Sequence, residues 1–75
     1  MRVTTLYFAT LRERRGASSE VVELPEGTTA RGLFARIFPG LGMTVAYAVN
    51  QATVPGDTVL ADGDEVAFLP PLGGG

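Results

Sequence analysis

The residues with the strongest claim to chemistry in this 75-residue chain are its last three, Gly73-Gly74-Gly75, which follow Pro70-Pro71-Leu72. Glycine has no side chain, so a Gly run can thread a narrow channel and let other atoms approach its backbone closely. Each proline fixes φ near −65° and stiffens the approach to that run. The arrangement points to a body that presents its own C-terminal carboxylate, on Gly75, as the working group. The competing reading is an end that simply frays into solvent, as most termini do, or an added linker.

The residue types that are missing sharpen the choice. The chain has no Cys and no His, so it offers no disulfide, no structural zinc site, no thiol nucleophile and no imidazole base. It has no Lys either, which excludes Schiff-base chemistry. The eight acidic residues form no paired acid/base arrangement. The net charge is −2, and Arg12, Arg14 and Arg15 cluster around Glu13 as a solvated helical turn would. Nucleic-acid binding is therefore unsupported, and so are a bound metal and a free-standing enzyme. No apolar run approaches the roughly 20 residues that span a bilayer, and the first residues lack a signal-peptide layout. The expectation is one small cytoplasmic domain away from membranes, with its chemistry in the backbone terminus. The missing lysines have two readings: a genome that favours Arg codons, or a surface that an activated C-terminus cannot acylate.

The elements that must position the terminus follow from local patterns. Val3 to Ala9 reads as a strand, Thr10 to Arg15 as a helical turn closed by Gly16, and Ser19 to Leu24 as a second strand. Pro25-Glu26-Gly27 is turn chemistry. Thr28 or Thr29 can cap a helix whose apolar stripe is Ala30, Leu33, Phe34, Ile37 and Phe38. Gly32 weakens that helix by up to about 1 kcal/mol relative to Ala, which marks a place of close packing. Pro39-Gly40 ends the helix. Val45 to Val49, Ala52 to Val54 and Glu65 to Leu69 read as strands, with turns at Asn50-Gln51, Pro55-Gly56 and Asp62-Gly63-Asp64. The order β-β-α-β-β-β makes an α+β domain with one helix packed on a sheet.

Side chains alternate along a strand. In the last strand the charge of Glu65 places Val66 and Phe68 toward the helix and sends Leu69 outward. In the first strand, Val3, Thr5 and Tyr7 oppose Thr4, Leu6 and Phe8, and periodicity leaves the choice open. If the first set is core, Leu6 and Phe8 join Leu69 in an exposed apolar patch of the kind that marks a partner site.

Four segments, Leu6 to Glu13 (LYFATLRE), Ala48 to Val54 (AVNQATV), Asp62 to Leu69 (DGDEVAFL) and Pro70 to Gly75 (PPLGGG), resemble the small subunit of molybdopterin synthase, a ubiquitin-like sulfur carrier. The resemblance covers essentially the whole chain. It implies a β-grasp (ubiquitin-like) fold, a mixed sheet of four to five strands packed on one main helix. It divides the chain into a body, residues 1–69, and a flexible Pro-Pro/Gly-Gly tail, residues 70–75.

The same resemblance implies a function. The chain binds no cofactor of its own. An E1-like adenylating enzyme, using ATP and Mg2+, converts the Gly75 carboxylate to an acyl-adenylate, and sulfur from a donor protein then gives a thiocarboxylate. The carrier docks on the large subunit of the synthase through Phe8, Leu69 and Leu6 and inserts Gly73 and Gly74 into its active site. There it donates sulfur to cyclic pyranopterin monophosphate, and the large subunit supplies the catalytic groups. Gly73 stands where the family commonly has Ala or Ser, and Leu69 where it often has Phe. Alternatives are a carrier for thiamine synthesis or tRNA thiolation, a ubiquitin-like protein modifier, and a binding module without terminal chemistry.

Overall fold

In the computed structural model, residues 1–71 are described. Strand β1 (Arg2–Tyr7) leads into helix α1 (Ala9–Arg15), and strand β2 (Ser19–Glu23) returns beside β1. Helix α2 (Ala30–Ile37) crosses the sheet, and strands β3 (Ala46–Val49), β4 (Ala52–Val54) and β5 (Glu65–Leu69) complete it. The spatial order is β2-β1-β5-β3-β4. The β1–β5 pair is parallel and the other three pairs are antiparallel. The sheet is thus mixed, five-stranded and β-grasp in layout, with α2 as its main helix.

The last strand in sequence is the middle strand in space. Phe68 and Val66 are fully buried, as alternation against Glu65 requires. Phe68 forms the hub of an aromatic cluster, with ring centroids 5.2 Å from Phe34, 6.1 Å from Tyr47 and 6.3 Å from Tyr7. The edge-to-face contacts with Phe34 and Tyr47 suit the ring quadrupoles. Leu11, Leu33 and Leu60 close the core around them.

Helix α2 is built as its sequence dictates. Thr29, not Thr28, is the cap, its hydroxyl accepting the Gly32 N–H at 3.0 Å. Ala30, Leu33, Phe34 and Ile37 are buried, the spacing of one helical face. The expected close packing at Gly32 comes from the cap itself. A Cβ there would lie 3.2 Å from the Thr29 hydroxyl oxygen.

Local boundaries differ from the sequence reading at three places. The first strand stops at Tyr7, and Ala9 opens α1 instead of ending β1, so the order is β-α-β-α-β-β-β. Leu11 supplies the reason: it is fully buried, and a helix immediately after β1 is what turns it into the core. Leu24 and Val45 lie just outside their strands, within the usual fraying of element ends. In the β3–β4 hairpin, Asn50 and Gln51 both take positive φ, 52° and 72°, as a two-residue turn matched to strand twist requires. Two residues past the end of β4, Gly56 sits in close contact with its surroundings. A Cβ there would meet the Arg31 guanidinium at 2.7 Å and the Tyr47 ring at 2.9 Å.

The open choice in β1 is resolved by a buried polar pair. Val3, Thr5 and Tyr7 face the core, although Thr5 carries a hydroxyl. The Tyr7 hydroxyl donates to the Glu20 carboxylate at 2.7 Å and accepts from Thr5 at 2.8 Å. The Arg15 guanidinium donates to the same Glu20 oxygen at 2.6 Å. Burial pushes the Tyr7 phenol up to about 12; the Thr5 bond opposes this and the bond to Glu20 reinforces it. Hydrogen bonds from Arg15 and then Tyr7 hold the Glu20 carboxyl below its ordinary value.

A lowered native pKa means that the unfolded chain binds more protons, so this contribution is present above the unfolded value and lost as pH falls through the native one. Glu20→Gln should destabilise the domain at pH 7 by about 1 kcal/mol, or ~5 °C in Tm for a chain this size. Thermal unfolding across pH should show the gap closing at acid pH. A gap that persists unchanged at pH 3 would show that the charge on Glu20 contributes nothing.

Candidate functional site

The site begins where β5 ends. Leu69 pairs with Ala46, and Pro70 and Pro71 follow. Neither proline has an N–H to donate, so the ladder cannot continue through them. Because β1 and β5 run parallel, with Tyr7 beside Phe68, both strands finish at the same edge of the sheet. Phe8 therefore stands next to Leu69 at the point where the chain leaves the body.

Phe8 is thrown outward by the β1–α1 corner. Its backbone is extended (φ −128°, ψ 153°) and holds the cap position of α1. Its carbonyl accepts the N–H groups of Leu11 and Arg12 at 3.1 and 3.4 Å. Ala9 then takes φ 51°, a left-handed conformation that costs a non-glycine residue about 1 kcal/mol. The side chain of Phe8 is left 43% exposed and that of Leu69 38% exposed.

Leu6, Phe8 and Leu69 thus share the sheet face opposite the helices. Leu6 is half-buried there, beside Ala67. Ala67 in turn neighbours Ala48, and Ala46 neighbours Leu69. Three alanines make a low floor between the larger side chains. Sequence reasoning did not single out these alanines, although their alternation with Tyr47, Val49, Val66 and Phe68 carries the signal. Such a surface can bind a complementary apolar surface; its side chains hold no acid, base or nucleophile. Gly73, Gly74 and Gly75 lie outside the described residues.

The Asp62-Gly63-Asp64 turn serves the opposite end of β5. Asp62 accepts the Arg2 N–H at 2.7 Å, and the Gly63 N–H donates to the Arg2 carbonyl at 2.8 Å. Asp64 accepts the Ala61 N–H at 2.7 Å and the Asn50 amide at 3.0 Å. The Asn50 oxygen accepts the Glu65 N–H at 3.0 Å. These bonds fix the start of β5 between β1 and the hairpin, and so fix where its other end emerges. No helix among the described residues is long and apolar enough to cross a membrane.

Three comparisons bear on this arrangement. The model of the ThiS family matches residues 5–75. The chain is 42% identical to the molybdopterin synthase sulfur carrier subunit of Chlamydomonas reinhardtii, with all of both chains covered. It is 40% identical to the protein of the same name from Mycobacterium tuberculosis, covering all of this chain and 99% of that one. Among solved structures it superposes on a putative molybdopterin converting factor subunit 1 from Pyrococcus furiosus with a TM-score of 0.80 at 35% identity, over 96% of this chain and 99% of that one.

The exposed position of Phe8 makes a sharp expectation. Phe8→Asp removes no core side chain and places a favoured capping residue at the start of α1. Its Tm should stay within a few degrees of the parent. Phe68→Asp buries a charge at the core hub and should abolish folding. Loss of the folded state in Phe8→Asp would place Phe8 in the core.

Proposed function

The chain belongs to the ThiS family, and on that premise we propose that it is the sulfur carrier of molybdopterin synthesis, with Gly75 as the sulfur-bearing residue. The observation that carries the reading is the end-to-end identity with the algal and mycobacterial sulfur carrier subunits. It favours molybdopterin synthesis over thiamine synthesis, tRNA thiolation or protein modification.

The chemistry suits a chain without cysteine. A carboxylate is a poor acceptor for sulfide because oxide is a poor leaving group. An E1-like enzyme overcomes this with ATP and Mg2+. The Gly75 carboxylate attacks the α-phosphorus, pyrophosphate leaves, and an acyl-adenylate forms. A sulfide equivalent from a sulfur-donor protein adds to that carbonyl and expels AMP, leaving a thiocarboxylate. The sulfur is then a strong nucleophile at the end of a side-chain-free tail.

Delivery follows from the exit geometry. Six residues from Pro70 reach at most about 20 Å, long enough to enter a deep site in a partner. In this reading the large subunit of the synthase covers the face of Leu6, Phe8 and Leu69 and receives Gly73 and Gly74 in its active site. The precursor pyranopterin binds there, and the catalytic groups are the large subunit's. The body registers the tail and takes no part in the bond changes. The cycle needs a compartment that holds ATP, and the cytoplasm meets that need.

Two variants test the reading together. Deletion of Gly75 should leave Tm unchanged, since a chain end adds little core burial, and should abolish molybdopterin formation in a reconstituted assay. Phe8→Asp should retain the carboxylate chemistry and weaken binding to the large subunit by at least tenfold, as loss of an aromatic anchor does. Full activity of the Gly75 deletion would overturn the proposal.

A further inference from the structure

The charged residues are sorted between the two ends of the sheet. At the exit end stand Arg12, Arg14 and Arg15 on α1 and Arg36 in the last turn of α2. Two side-chain carboxylates accompany them, Glu13 and Glu20. At the far end lie Glu23, Glu26, Asp62, Asp64 and Glu65, with Arg2 and the Met1 ammonium, while Arg31 in the first turn of α2 and Asp57 belong to neither group. The strand directions set this division, because β1 and β5 start at the far end and finish at the exit end. A chain of net charge −2 thus carries a cationic pole around the point where its tail leaves.

Most of that positive charge is uncommitted. Among the described residues only Arg2 and Arg15 form ion pairs, with Glu23 and Glu20. Arg12, Arg14 and Arg36 are all exposed. Arg14 borders a shallow hollow with Phe38, Pro39, Gly40 and Leu41, and so lies against the C-terminal end of α2. The negative end of that helix favours nearby cations by about 0.3–1 kcal/mol each. Helix termini alone do not account for the acidic residues gathered at the opposite end.

We propose that this pole is an electrostatic guide, and that the activating enzyme, which takes up the tail first, carries an acidic protein surface around its cleft. The inference rests on the carrier function proposed above and adds the chemistry of the partner's rim. The apolar patch of Phe8 and Leu69 adjoins the pole along the chain, because Phe8 begins the helical turn that the Arg12 N–H closes on its carbonyl. Apolar contact then holds the complex, while the poles turn the carrier exit-end first during encounter. Opposed fields of this kind raise association rates by about 10-fold or more and fade with added salt. The far acidic end is repelled by the same rim, which disfavours backward docking. A nucleic acid is the less favoured polyanion, since no aromatic side chains interleave with these arginines.

The test uses the full chain in two measurements. Titration with poly-L-glutamate should shift backbone amide resonances of residues 9–16 and 36–41, and 0.5 M NaCl should abolish the shifts. The double variant Arg14→Glu/Arg36→Glu should lose them, and Arg14→Gln/Arg36→Gln should weaken them if charge reversal impairs folding. With an activating enzyme, the charge-reversed variant should show a KM at least about tenfold higher at low salt with kcat unchanged. Its KM should depend less on salt than that of the parent. Glu26→Arg, at the far end, should leave KM within twofold.

Amide shifts spread over both ends, or single-stranded DNA binding as tightly as polyglutamate, would overturn the proposal. So would an unchanged KM in the charge-reversed variant. A parent chain that maps as expected but is never adenylated would instead count against the carrier function and leave the anion-guiding surface standing.

Discussion

The pairing of β5 between β1 and β3 is the constraint on which the rest of the molecule depends. A strand that is last in sequence and central in space must be clamped by non-local contacts on both sides. Its start is held by the bonds among Arg2, Asn50, Asp62, Gly63 and Asp64. Its inner face is held by Phe68 against Phe34, Tyr47 and Tyr7. Replacing a buried aromatic hub by alanine costs about 3–5 kcal/mol, a large part of the 5–15 kcal/mol that holds a small domain folded. The chain beyond Leu69 therefore leaves from a strand that is paired on both sides. This matters for a carrier, because the error in placing a threaded tail is set by its root.

The same clamp explains why one sheet face can stay apolar without being core. The helices cover only the inner face, where the alternating residues of β1, β3 and β5 are large. On the outer face the corresponding residues are Leu6, Ala67, Ala46 and Ala48, flanked by Phe8 and Leu69 at the exit edge. The strained turn at Ala9, with φ 51°, sends the chain from the exposed Phe8 into α1, whose Leu11 is buried. Backbone strain at that corner and the exposure of two large apolar residues are costs to the isolated domain. Both are concentrated where the tail leaves, which is the pattern expected of a surface kept for a partner.

Much of this was legible in the sequence because several signals agreed. Helix α2 combined a cap, a helical apolar stripe and a Pro-Gly stop, and the Asp-Gly-Asp turn before Glu65-Val-Ala-Phe-Leu fixed the phase of β5. Strand β1 was different. Its two faces were Val-Thr-Tyr and Thr-Leu-Phe, nearly equal in apolar content, and the winning face carried Thr5 and Tyr7. What decided it was the bonding of their hydroxyls to Glu20, a residue 13 positions from Tyr7, and no local pattern reports that. The α1 boundary was missed for a related reason. Ala9 has no side-chain signal for a left-handed turn, and only the burial of Leu11 shows why the strand must stop. Of the candidate site, Phe8 and Leu69 could be named from alternation, whereas the alanine floor became visible only with the strand registers.

The central claim is that the working group of this protein is its own terminal carboxylate. It is tested most directly by the intact mass of the chain after incubation with an E1-like adenylating enzyme, ATP, Mg2+ and a sulfur donor. The account predicts a gain equal to the exchange of one oxygen for sulfur, mapped to Gly75 by fragmentation. No gain at Gly75, with an enzyme shown to be active on a control carrier, would contradict it.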